Sequence, residues 1–253
     1  MLRETRHEKL LHLLEQEDVL PVGEIARRLG VSEATARRDV TELSDAGRLR
    51  RVYGGAIGLP RPEGVERPFN EEDVGDLPAK DAVAATAALL IQDGETVLLD
   101  IGTTTLRLAR LLHGRQITVV TSSLAVYEEL RSDAAVSLVL LGGRVRRNYQ
   151  SLVGHLTHAA LSEVYVDRAF LGTSGVVPDG RVLDTTEVEV PVKRAMLRAS
   201  RQCVLLATAR KFPGTGNARV CEAGDIDVLI TNRAADPATL AKFREADVEV
   251  VQA

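Results

Sequence analysis

The stretch VGEIARRLGVSEATARRDVTELSDAGRLRRVYGG, residues 22–55, decides how the chain is read. Ile25, Ala26 and Leu29 recur at helical spacing, and beyond Gly30 the residues Ala36, Val40 and Leu43 form a second helical stripe. Ser32 predicts an N-cap whose hydroxyl accepts from the next turn, and Gly30 predicts the positive φ that stops the first helix. Ala26 is small where two helices cross closely, and Val31 plugs the corner between them. Gly47 predicts the end of the second helix and RLRRVYGG, residues 48–55, a basic hairpin. Helix, glycine corner, capped helix and hairpin in that order read as a winged helix-turn-helix.

In that arrangement Ser32, Glu33, Thr35, Arg37, Arg38 and Thr41 lie on or beside the outer faces of the second helix, whose N-terminal half suits a major groove. An arginine fork matches guanine O6 and N7, while hydroxyls and a helix N-terminus suit phosphates. Arg48, Arg50 and Arg51 on the hairpin meet backbone or minor-groove phosphates, and Tyr53 packs or touches sugar. Arg27 and Arg28 alone read as solvated charges on a helix face. The expected partner is double-stranded operator DNA.

Outward from this stretch, Leu10, Leu11 and Leu14 predict a preceding helix. Residues 59–78, LPRPEGVERPFNEEDVGDLP, hold four prolines without sustained periodicity and read as a linker between residues 1–58 and 79–253. Beyond it, apolar runs at 96–100, 117–121, 136–141, 168–172, 202–207 and 227–231 alternate with amphipathic stretches at 104–112, 123–131, 188–199 and 237–246. That rhythm predicts an α/β domain, larger than the first, around a mostly parallel sheet buried on both faces.

The formal net charge of −4 places any nucleic-acid affinity in clustered cations rather than in the sum. Two cysteines, Cys203 and Cys221, lack a CxxC spacing and read as buried apolar residues, so no disulfide framework and no structural zinc are expected. No run approaches the roughly 20 apolar residues of a membrane span, and the charged first residues exclude a secretory signal, which predicts a cytoplasmic protein without membrane contact.

In the second domain, Gly102, Thr103, Thr104 and Thr105 follow an apolar strand and open a helix, a place where amides and hydroxyls cradle phosphate. Ser122 and Ser123, Gly142, Gly143 and Arg144, and Gly172, Thr173, Ser174 and Gly175 each follow a strand too, at the sheet edge where α/β folds gather ligands. Arg144, Arg146 and Arg147 either add positive charge to the ligand rim or stand in a solvated loop, and of the three Arg144 is kept as the candidate. His155 and His158 lack a third ligand and read as helix-surface residues.

The segment VSEATARRDVTELSDAGRLRRVYGGA, residues 31–56, resembles the N-terminal signature of the DeoR family, with Arg37-Arg38-Asp39 and Gly54-Gly55-Ala56 intact, and the resemblance runs through nearly the whole chain. It implies a transcription regulator of carbohydrate genes, a repressor relieved by a phosphorylated sugar or related metabolite, acting as a homo-oligomer without a cofactor. LDTTEVEVPVKRAM, residues 183–196, resembles the family's sensor motif, which implies that Glu189 and Lys193, four residues apart on one helix face, line the effector pocket. Lys211-Phe212 resembles the family's later lysine-phenylalanine step. Ser174, Thr208 and Arg210 stand where the family usually has aspartate, aspartate and serine, a difference that bears on sugar-hydroxyl recognition. The second domain also resembles sugar-phosphate isomerases and coenzyme A transferases, so an isomerase is the rival reading, with Asp100, Asp184, Glu187 and Glu189 as candidate carboxylates. A sugar-phosphate-binding module acting through a protein partner is a third.

Overall fold

The structure is a computed structural model and describes residues 3–16, 19–58, 69 and 76–253. Residues 59–68 and 70–75, most of the predicted linker, lie outside those described. The chain divides into two compact units, residues 1–62 and 63–253.

In the first unit, α1 (Arg3–Gln16) and β1 (Val19–Pro21) lead into α2 (Val22–Leu29) and α3 (Glu33–Asp45), followed by the hairpin strands β2 (Leu49–Val52) and β3 (Gly55–Gly58). Leu10, Leu14, Ile25, Ala26, Leu29, Ala36, Val40 and Leu43 bury into one core, and Val31 packs against it as the corner plug. Gly30 adopts φ 65° and ψ 39°, which lets the Val31 N–H turn back 3.0 Å to the Ala26 carbonyl. Ser32 caps α3, its Oγ accepting from the Thr35 N–H at 3.3 Å. Strand β1 was not anticipated, because three residues carry too little periodicity; it adds to the hairpin in the antiparallel order β1-β3-β2.

The second unit carries a seven-stranded parallel sheet of β4 (Thr96–Leu99), β5 (Thr118–Thr121), β6 (Ser137–Leu140), β9 (Val166–Gly172), β12 (Ser200–Leu206), β14 (Val228–Thr231) and β15 (Glu249–Gln252). Their order is β15-β14-β12-β9-β4-β5-β6. Side chains alternate across it. Val97, Leu99, Val119, Phe170, Val204 and Ile230 face α4 (Leu77–Ala88), α5 (Thr103–Arg110) and α6 (Leu124–Leu130), while Leu98, Val120, Leu171, Leu205 and Leu229 face α7 (His155–Ser162), α8 (Val190–Arg198) and α9 (Pro237–Glu245). Two covered faces explain the continuously apolar runs. A hairpin of β7 (Arg144–Arg146) and β8 (Ser151–Val153), and an antiparallel sheet of β10 (Gly175–Val176), β11 (Val182–Asp184) and β13 (Ala218–Cys221), extend this unit.

Three features differ from the sequence reading. β6 is an edge strand with Val139 and Leu140 exposed, since apolarity alone does not distinguish an edge from a centre. Helix α4 begins inside the stretch read as linker. Phe69, in the same stretch, is buried against Leu106 and Ala125, with its ring edge-on to Tyr149 at 5.7 Å. An aromatic ring gains about 1.5–3 kcal/mol on full burial, enough to anchor one point of a chain that lacks periodicity. Among the described residues, no helix is long and apolar enough to cross a membrane.

Candidate functional site

Helix α3 presents Arg37 and Arg38 to solvent on either side of its outer face, and Asp39, the next residue, is 1% exposed. Glu33 holds the Arg37 guanidinium at 3.0 Å, one turn back. The Thr41 hydroxyl donates to the Arg37 carbonyl at 2.9 Å and accepts from Arg51 at 3.4 Å, which ties the hairpin to the helix. Ser32 and Thr35 sit at the helix N-terminus with their hydroxyls 3.0 Å apart. Arg48, Arg50 and Arg51 are exposed on the hairpin, and so is Tyr53, whose side chain is fully exposed. Arg27 and Arg28 are held by Glu24 at 2.5 and 2.6 Å, and those bonds, Arg27's first, hold the Glu24 carboxyl down at about 2. All nine predicted DNA contacts therefore lie on α3, its cap and the hairpin.

The residue that sequence reading left without a role is Asp39. Its two oxygens accept from Arg6 at 2.5 and 2.8 Å, and His7 lies 3.1 Å away, so α1 grips α3 at the turn that carries the arginines. Burial pushes this carboxyl up, but the bonds from Arg6 and His7 overcome it and hold it below the usual range. An acid whose pKa is lowered by folding contributes stability above its unfolded value, and that contribution is lost as pH falls. Asp39→Asn should therefore cost about 1–3 kcal/mol at neutral pH, with the gap to the parent closing below about pH 4. Urea titrations at pH 7 and pH 3 check this; an equal gap at both would remove the charge-based account.

In the second unit every strand of the large sheet runs the same way, so the loops after β4, β5, β6, β9 and β12 share one rim. Gly102 caps α5 in extended conformation and leaves the first-turn N–H groups without intrahelical acceptors. Thr103 is buried and Thr104 half-buried, but Thr105 turns inward, its hydroxyl donating to the carbonyls of Asp100 and Gly102 at 2.7 and 2.6 Å. Only two of the three threonine hydroxyls are thus left for the cradle.

Several other rim residues are occupied by the fold itself. Ser123 caps α6, accepting from the Val126 N–H at 3.2 Å. The Thr173 hydroxyl contacts the Leu183 carbonyl at 2.8 Å, and Ser174 stands 3.3 Å from the Thr185 hydroxyl. At Gly175 a side chain would come within 2.4 Å of the Thr215 carbonyl, so glycine there answers a close backbone approach. The Gly142 carbonyl accepts from Thr157 at 2.6 Å, and a side chain at Gly143 would meet the same hydroxyl at 2.2 Å. Arg144 is exposed, Lys211 half-buried in a short 3-10 turn, Thr208 buried and Arg210 exposed.

Glu189 and Lys193 are both buried, yet they do not pair with each other, because each finds a partner from a distant segment. The Lys193 ammonium donates to Asp100 and, at 2.9 Å, to the Gly172 carbonyl, and lies 3.5 Å from Asp184. Burial alone would push this ammonium's pKa down, but Asp100 and Asp184 outweigh burial and hold it above the ordinary lysine range. Glu189 accepts from Ser151 at 2.7 Å and from Arg146, and burial pushes its carboxyl up. Arg146, which the sequence left open and did not single out, is thus the arginine of its strand that reaches a buried carboxylate. Its alternation with Val145 in β7 puts it on the same strand face as Arg144, and nothing local distinguishes the two. His155 is exposed on α7 and His158 lies 3.4 Å from Arg198, as surface residues of that helix.

Family descriptions match most of the chain: a DeoR-like helix-turn-helix domain over residues 6–59 and a DeoR C terminal sensor domain over residues 76–233. The HTH-type transcriptional regulator GolR of Listeria innocua is 32% identical, over 97% of this chain and 96% of its own length. The glycerol-3-phosphate regulon repressor of Haemophilus influenzae is 33% identical over 91% of this chain and 90% of its own. Among solved structures, ribose 5-phosphate isomerase A of Methanocaldococcus jannaschii aligns over 53% of each chain at 18% identity, with a TM-score of 0.39.

Proposed function

The chain belongs to the DeoR family of transcriptional regulators, and we propose that it represses carbohydrate genes by gripping operator DNA through α3 and its hairpin until a phosphorylated sugar or related metabolite occupies the rim of the second unit. The observation that carries the first half is the local contrast on α3: Arg37 and Arg38 are exposed while Asp39 is buried and tied to α1, so the two forks stand on a fixed support. Helix N-termini and hydroxyls take phosphates, and the forks take guanine edges. The protein works as a homo-oligomer, since a two-fold operator needs two recognition helices.

The second half is supported by the helix N-terminus at Gly102–Thr104 and by the cation Lys193, whose ammonium donates to the carbonyl of Gly172, the glycine packed against Gly102. The same groups disfavour an isomerase. Lys193 is held charged by Asp100 and Asp184, and one oxygen of Glu189 is taken by both Arg146 and Ser151, so neither stands as a free general base. Footprinting with the full chain on the DNA upstream of its own gene tests the reading, with a panel of triose, pentose and hexose phosphates added to the bound complex. Protection of a defined site, relieved by at least one of the phosphates, is expected. Absence of any protected site, or steady turnover of a pentose or hexose phosphate, overturns it.

A further inference from the structure

The seven-stranded sheet ends in two edges of different chemistry. At β15 the exposed residues are Glu249 and Gln252, while Val250 and Val251 pack back onto the two cores. At β6 no residue is charged, and Ser137, Val139 and Leu140 are exposed, the last two at 41% and 36%. An open edge presents a row of backbone donors and acceptors, which proteins blunt with charge, proline or a bulge. β6 carries none of these devices, and its register with β5 is unbroken from Ser137 to Leu140.

The direction of its backbone groups follows from the ladder. The Ser137 N–H donates to the Ile117 carbonyl at 2.9 Å, and the Leu141 N–H to the Thr121 carbonyl at 2.8 Å. Successive residues of a strand turn to opposite neighbours, so Ser137, Val139 and Leu141 face β5, and the N–H and C=O groups of Leu138 and Leu140 face outward. Among the described residues no strand pairs with them. Apolar surface continues from this edge onto the helix layer. Val139 is in register with Val120, on the face that α7 covers, and Leu156 of α7 is 67% exposed. Thr157, beside Leu156, donates to the Gly142 carbonyl just beyond β6.

We infer that β6 is where two copies of this chain join, the strand pairing antiparallel with β6 of a second copy about a two-fold axis at Val139, so that the two sheets become one. Self-complementarity favours a second copy over an unlike strand. With the axis at Val139, Leu138 stands opposite Leu140 of the second copy. Both present their backbone groups outward, so each such pair exchanges its N–H and C=O bonds and sets leucine on leucine. Val139 meets its own copy in the closely spaced position, valine on valine. No like charges come together, because β6 has none. One isologous contact satisfies both open edges and closes the assembly. The need for a second copy rests on the operator-binding reading, in which two recognition helices act together.

Sedimentation velocity and thiol cross-linking of the full chain test the pairing. Val139→Lys sets two ammonium groups opposite each other at the axis and should halve the mass of the assembly relative to the parent, with circular dichroism unchanged. Val139→Cys places two thiols where Cα atoms approach to about 4.5 Å, within reach of a disulfide, and Cys203 and Cys221 are buried and do not compete. Under mild oxidation this variant should form a covalent dimer at least about 10-fold faster than Ser137→Cys, which the register sets opposite Leu141 of the second copy. The cross-link reads the pairing even if Val139→Lys fails to fold. A parent chain that is monomeric at about 50 μM, above the micromolar range of standard interfaces, overturns the inference. So does a folded Val139→Lys of parental mass, or a Val139→Cys that cross-links no faster than Ser137→Cys. A protected operator site with any of these results leaves the operator-binding reading standing, whereas rapid cross-linking without a protected site overturns that reading and keeps the joint.

Discussion

Replacing Arg37 and Arg38 together by alanine should weaken binding to the operator by about 100-fold or more and flatten the preference for operator over unrelated duplex. A guanidinium fork on a guanine edge is worth about 1–3 kcal/mol of discrimination, and two on one helix act on neighbouring bases. The fold should survive, since both side chains are exposed and, among the described residues, the partner of Arg37 is Glu33 in an exposed pair. Replacing Arg48 and Arg50 on the hairpin should act differently. Phosphate contacts carry no sequence information, so those changes should weaken all duplexes alike and reduce the slope of affinity against salt. Band-shift titrations with operator and scrambled duplex at two salt concentrations make the comparison. Undiminished selectivity in the double variant of α3 would mean that another element reads the bases.

The second large effect concerns the buried charges of the sensor unit. Lys193→Met should destabilise that unit by about 3–5 kcal/mol, because it leaves Asp100 and Asp184 buried without the ammonium that lies between them. The sign of the pH dependence follows from Lys193, whose pKa is raised by folding. A base of this kind contributes stability that is fully present below its unfolded pKa, about 10.4, and is lost only as pH rises through the folded value. The difference between parent and variant should therefore hold constant from pH 7 to pH 9 and fade only in stronger alkali. Urea unfolding of the full chain followed by circular dichroism reads it, with the transition of the larger unit identified by its amplitude. A loss below about 1 kcal/mol would be that of an ordinary surface pair and would contradict the buried triad.

The elements themselves were legible because their signals are local. The Gly30 corner, the Ser32 cap and the helical stripes of α2 and α3 depend on neighbours within one or two turns, and the continuous apolar strands announce a sheet covered on both faces. Five observed loops on one rim follow from parallel strands, which the alternation of strands and helices had already implied. The candidate site was legible in outline only. Thr105, Ser123, Thr173 and Ser174 have the composition of ligand-binding loops, yet their hydroxyls serve the backbone, and composition does not say which way a hydroxyl turns.

The amino-acid order by itself determined the two-unit plan, the capped helix α3 with its exposed arginines, and the sheet edge where small polar loops gather. Only the tertiary structure decided which charges meet. Arg6 finds Asp39 across 33 positions, Arg146 finds Glu189 across 43, and Lys193 finds Asp100 across 93. Helical period and turn chemistry act over a few residues, whereas the partner of a buried charge is whichever group the packing of distant strands and helices sets beside it, and that is why Glu189 and Lys193, four residues apart, ended in different bonds.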